Sequence, residues 1–146
     1  MRVLLDTNLL VRAAITPGGL ARRLLRCIEE NDEHVLIVSS HILSELAEVL
    51  SRPRIQARWP LSTDDIQNYC RYLSKIAQEV PAQQIAAVIS DPKDQPVIEA
   101  AVSGQADGIC TSDAHFYEPL VKEFLKERGI SVLTDKDMLL LLQKKR

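Results

Sequence analysis

Aromatic residues are few: two Phe, one Trp and three Tyr stand among 146 residues. A core built on stacked rings is excluded, so the apolar 46% must pack chiefly as Leu, Ile, Val and Ala, which suits α/β and α proteins. Cysteine is as sparse. Cys27, Cys70 and Cys110 are odd in number, far apart and without a CxxC pair. They are read as reduced thiols in a reducing compartment, not as a disulfide framework or a thiolate metal site. No apolar run approaches the roughly 18 residues that would span a membrane. The opening MRVLLDTNLLVRAAI is broken by Asp6 and Arg12 and lacks an A-x-A cleavage site, so it does not read as a signal peptide. A cytoplasmic address is expected. Repeats, low-complexity stretches and linker-like segments are also missing, and the length fits one domain over 1–146. The net charge of -2 neither demands nor forbids a nucleic-acid partner, because local patches decide that.

What the chain does have is an alternation of short apolar runs with longer segments of helical period. Val3–Leu5, Val35–Val38, Ile109–Thr111 and Ile130–Leu133 read as strands buried on both faces. Helical patterns run from Leu20 to about Glu30, from about His41 to Ser51 before Pro53, and from Ser62 to about Gln78. Others begin near Asp91-Pro92 and near Asp113, and the last runs from Asp135 into Lys144-Lys145-Arg146. The stretch 79–90 is ambiguous, with a short strand conceivable around Ala86–Ile89. Alternating strands and helices predict an α/β fold with a short parallel sheet flanked by helices on both faces. In such sheets ligands bind outside the carboxyl ends of the strands.

Two aspartates stand there. Asp6 follows Val3-Leu4-Leu5, and Asp113 follows Ile109-Cys110-Thr111-Ser112. Each also suits a helix N-cap. Thr134-Asp135 repeats the pattern after Val132-Leu133, and its Thr134–Asp137 spacing reads as a cap, so a strand-end aspartate alone proves little. Helix geometry singles out companions. At about 100° per residue, Ile42, Leu43, Leu46, Val49 and Leu50 form one face; Glu45 lies at its border and Glu48 nearly opposite. In the later helix Asp94 projects onto the face of Val97, Ile98 and Ala101, while Glu99 points away. Asp91 before Pro92 suits an N-cap with Pro at the first helical position, which would put Asp94 at the third. Asp6, Glu45, Asp94 and Asp113 thus gather four carboxylates at one end of the sheet. Unpaired, they would raise one another's pKa; a hard divalent cation, Mg²⁺ or Mn²⁺, resolves the conflict.

With LLDTN at 4–8, HILSELAEVL at 41–50, DPKDQPVIEAAVSGQADGICTSD at 91–113 and GISVLTDKDML at 129–139, the chain resembles the PIN-domain family. The likeness is to its small VapC-like type, the toxin components of type II toxin–antitoxin pairs, and it covers essentially the whole length. The resemblance implies a PIN-like three-layer fold and a Mg²⁺- or Mn²⁺-dependent ribonuclease hydrolysing RNA phosphodiester bonds. It makes Asp6, Glu45, Asp94 and Asp113 the catalytic and metal-binding acids. Asn8 and Ser112 become polar supports, and Asp91 competes with Asp94 for the central position. A small antitoxin partner and a homodimer are implied in the same way.

Arg22, Arg23 and Arg26 on one helix, and Arg52, Arg54 and Arg58 after another, are candidates for RNA phosphates, with Trp59 or Tyr72 candidates to stack on a base. His41 and Glu45 have i,i+4 spacing but no HExxH, so no zinc site is expected; His34 and His115 read as surface or loop residues. Two other functions are compatible with the acids. One is a non-catalytic metal-binding interaction module. The other is a receiver-like phosphoacceptor domain, although that class needs paired acids after its first strand, where Asp6-Thr7-Asn8 stands.

Overall fold

The computed structural model describes residues 1–81 and 83–144. Five strands, β1 (Arg2–Leu5), β2 (Val35–Ser39), β3 (Gln78–Val80), β4 (Gly108–Cys110) and β5 (Ser131–Leu133), form one sheet of order β3-β2-β1-β4-β5. Every pairing is parallel, with Leu4 opposite Ile37 on one side and Ile109 on the other. Successive strand residues point to opposite faces, and Val3, Leu4 and Leu5 are all buried, as are Leu36, Ile37 and Val38. Both faces are therefore covered, by α1 (Thr7–Ile15), α2 (Leu20–Glu30), α3 (Ser40–Leu50), α4 (Pro53–Arg58), α5 (Thr63–Ile76), α6 (Gln95–Ser103), α7 (Pro119–Lys126) and α8 (Asp135–Lys144). The α/β architecture is the expected one, and the core is aliphatic, with Phe116 the one aromatic among its buried residues.

The strand order settles one alternative. Receiver-like sheets run 2-1-3-4-5, whereas here β3 lies outside β2 at the sheet edge.

Several boundaries differ from expectation. α1 was hidden because its apolar residues Leu9, Leu10 and Val11 follow the strand residues Val3–Leu5 after only three polar positions. Asp6 makes the break: its side chain accepts the Leu9 N–H at 2.9 Å, capping α1. Pro53 does not simply end α3; it occupies the first turn of the short α4, where a missing N–H costs nothing. The ambiguous stretch holds no strand at Ala86–Ile89, and Gln78–Val80 pairs with β2. Only Val80 of that edge strand is buried, so no apolar run marked it. Residues 85–88 are pinned to α6 by side chains: Glu99 accepts the Ile85 N–H at 3.1 Å, and Gln95 accepts that of Val88 at 3.1 Å. Ala82 in the ambiguous stretch and the basic tail Lys145-Arg146 lie outside the described residues.

His34 is not a surface residue. It is buried, with Nδ1 3.1 Å from the Met1 amino group and Nε2 3.3 Å from the Leu142 carbonyl oxygen.

Candidate metal centre and active site

The two central strands set the site. Leu5 of β1 pairs with Cys110 of β4, and the Asp6 N–H extends the ladder to the Cys110 carbonyl at 3.1 Å. Asp6 and Thr111 therefore emerge side by side at the carboxyl ends of adjacent strands. The Thr111 hydroxyl, fully buried, donates to Asp6 Oδ2 and accepts the Asp113 N–H at 3.0 Å. The Tyr117 hydroxyl holds the Thr111 carbonyl at 2.7 Å. Burial pushes the Asp6 carboxyl above its ordinary pKa, against the Thr111 and Leu9 hydrogen bonds and the nearby Arg12, which favour its charged form.

Asp113 opens a 3₁₀ turn, Ala114–Tyr117, where Oδ1 accepts the His115 N–H at 2.9 Å and lies 3.0 Å from the His115 ring Nδ1. Desolvation is its largest influence and raises its pKa, but the hydrogen bonds and imidazole outweigh it and hold Asp113 below the usual value. His115 is thus part of the site, contrary to its reading as an isolated loop residue. Its Nδ1 is also 3.6 Å from Asp94 Oδ2.

Asp94 sits just before α6, which begins at Gln95, one turn later than expected. Asp91 is therefore not the cap; its Oδ1 closes a turn on the Lys93 N–H at 3.0 Å. Asp94 holds the N-cap position but its side chain caps nothing, and its Oδ2 is buried without a hydrogen-bond partner. Desolvation, followed by the adjoining Asp113 carboxylate and Asp91, pushes its pKa up to about 7. Ligand atoms of Asp91, Asp94 and His115 all lie within 4.8 Å of one another. An orphaned buried oxygen amid crowded carboxylates, with an imidazole beside it, fits a divalent cation: the charge offsets the repulsion and supplies the missing partner.

Other expected residues are tied in less closely. Glu45 on α3 is half-buried and pairs with His41 at 3.8 Å; among the described residues no hydrogen bond or ion pair joins it to Asp6, Asp94 or Asp113. Ser112 is exposed, and the buried Thr111 is the hydroxyl that organises the acids. Sequence reasoning passed over Thr111 and His115, although both lie within two residues of Asp113. Arg22 is spent internally: its Nε donates to the Ala13 carbonyl at 2.6 Å, at the end of α1 remote from Asp6. Asn8 is exposed on the first turn of α1.

A family described as PIN domain matches residues 2–115. The chain belongs to the PIN-domain family. PIN domains are generally nucleases, typically dependent on divalent metals. No curated protein sequence matches the chain. Among solved structures, a chain of VapBC2 from Rickettsia felis bound to a DNA fragment from their promoter is similar in fold, with TM-score 0.59 and 15% identity over 92% of this chain and 98% of that one. No helix among the described residues of this PIN domain is long and apolar enough to cross a membrane.

Proposed function

We propose that this PIN domain, one domain over residues 1–146, is a cytoplasmic Mg²⁺- or Mn²⁺-dependent endoribonuclease and the toxin of a toxin–antitoxin pair. The observation that carries the reading is Asp94: a carboxyl whose buried Oδ2 has no hydrogen-bond partner, only the His115 ring at 3.6 Å, beside Asp113 at the carboxyl ends of the central strands. Asp94, Asp113 and Asp6 are the acids of the metal centre, with Asp91 and His115 offering further ligand atoms and Glu45 on α3 the fourth acid.

Asp6, Asp94 and Asp113 would hold a divalent cation, which when bound would supply Lewis acidity for activating a water and stabilising charge on the leaving 3′-oxygen. The protein's part is to hold and orient. Thr111 fixes one Asp6 oxygen and the Leu9 N–H fixes the other. His115 bridges Asp113 and Asp94, favouring their charged forms. One of the acids not engaged by the metal would accept the water's proton. The fold likeness to a chain of VapBC2 supports a small antitoxin partner; a homodimer is part of the proposal and rests on the family resemblance alone.

Mapping of cleavage ends on total cellular RNA tests this. Fragments with 5′-phosphate and 3′-hydroxyl ends are expected with Mn²⁺ or Mg²⁺, and none in EDTA. Metal-independent ends carrying 2′,3′-cyclic phosphate would refute it, and tight metal binding with no cleavage of any RNA would favour a non-catalytic module.

A further inference from the structure

A groove of about 480 Å³ opens where α1, α3 and α4 meet. Asn8 and Arg12 of α1 line one side, and Arg52, Arg54, Arg58 and Trp59 the other, while no acidic side chain lines it. Two of the arginines have partners nearby: Arg12 lies 3.7 Å from Asp135, and Arg52 lies 3.2 Å from Glu48. Arg54 and Arg58 are exposed and have no ion-pair partner among the described residues. The Arg58 guanidinium lies 4.9 Å from the centre of the Trp59 ring, and Trp59 is half-buried and lines the groove together with Val11, Ile15, Val49 and Ile55.

Two guanidinium groups without an ion-pair partner, Arg54 and Arg58, beside the ion-paired Arg12 and Arg52, leave this groove net positive, a field that attracts a polyanion. An aromatic face within that field is the arrangement that holds unpaired bases, stacked and sequence-tolerant, while arginines track the phosphates. Position gives the groove its purpose. It begins at Asn8, on the first turn of the helix that Asp6 caps. Asn8, Arg12 and the groove-lining Ile15 lie on one face of α1, and Asn8 to Ile15 spans about 10 Å at 1.5 Å per residue.

We infer that this groove is the track for a single-stranded RNA flank: Arg54 and Arg58, with Arg12 and Arg52, hold phosphates and Trp59 stacks on a base, delivering the strand to the acidic centre. The inference rests on the ribonuclease reading but is tested apart from it. Paired bases cannot reach Trp59, so unpaired RNA is favoured over duplex.

Fluorescence anisotropy with labelled oligo(U), performed in EDTA so that nothing is cut, reads binding alone. Arg54→Ala/Arg58→Ala is expected to lower the slope of log affinity against log salt by about 1.4, at roughly 0.7 per phosphate contact on a single strand. Trp59→Ala is expected to weaken binding about 5- to 100-fold, with Trp59→Phe recovering most of it, and Arg71→Ala on α5 to change little. Unchanged affinity and slope in the double arginine variant, tighter binding of duplex RNA, or preference for an oligo-glutamate peptide would each overturn the proposal, the last in favour of an acidic protein partner. Groove-dependent binding by a parent that cuts no RNA with Mn²⁺ would sink the nuclease reading and leave the groove standing. Cleavage with binding indifferent to Arg54, Arg58 and Trp59 would do the reverse.

Discussion

Asp94→Asn is expected to make the metal-free protein more stable while abolishing its activity. Asp94 has its pKa raised from 3.8 to about 7 by desolvation and by Asp113 and Asp91. Because the folded value lies above the unfolded one, the protonated carboxyl favours the fold. That contribution is complete below about pH 4 and is lost as pH rises through about 7. At about 1.4 kcal/mol for each tenfold change in proton affinity, the ceiling is about 4 kcal/mol. The side chains of Asp94 and Asp113 are 19% and 26% exposed, so water screens the pair and about 1–2 kcal/mol is the reasonable expectation. Asparagine keeps the shape and offers Asp113 a donor. In EDTA, Asp94→Asn should therefore melt about 3–6 °C above the parent at pH 8, at roughly 2–4 °C per kcal/mol for this size. The gap should close toward pH 5. Mn²⁺ should raise the parent's melting temperature at pH 8 and leave the variant's nearly unchanged. A variant less stable than the parent at pH 8 in EDTA, or a gap that does not depend on pH, would refute this reasoning.

Asp6→Asn separates capping from chemistry: asparagine caps as well as aspartate, so denaturant midpoints should move by less than about 1 kcal/mol in free energy while cleavage is lost. Thr111→Val leaves an Asp6 oxygen and the Asp113 N–H without their partner; it should cost about 1–3 kcal/mol in urea unfolding and about 10- to 100-fold in metal affinity, with Thr111→Ser largely restoring both. At Gly104 an added Cβ would lie 2.9 Å from Ile37 Cγ2 and 3.1 Å from the Ala100 carbonyl oxygen. Gly104→Ala should therefore destabilise by about 1–3 kcal/mol, with metal binding per folded molecule unchanged.

The central strands were legible because burial on both faces leaves unbroken apolar runs such as Val3–Leu5 and Val35–Val38, and the α/β class followed from their alternation with helices. The polar edge strand Gln78–Val80 left no such trace. Helical projection ranked the glutamates of α3 well: Glu45 is 30% exposed and Glu48 68%. It reached the burial of Asp94 by the wrong route, since Asp94 precedes α6 instead of lying on its third position. Thr111 and His115 were illegible as site residues because their roles depend on pairings between distant segments: Thr111 meets Asp6 only through the β1–β4 register, and His115 meets Asp94 only across the 3₁₀ turn. Arg22 shows the converse, a cationic residue that looked available until the end of α1 claimed it.

The most direct test of the central claim is single-turnover cleavage of an end-labelled single-stranded RNA by the parent and by Asp94→Asn, each in EDTA and after addition of Mn²⁺. The account predicts cleavage only by the parent and only with Mn²⁺, with Asp94→Asn folded and inert. Equal cleavage by the variant, or cleavage by the parent in EDTA, would contradict it.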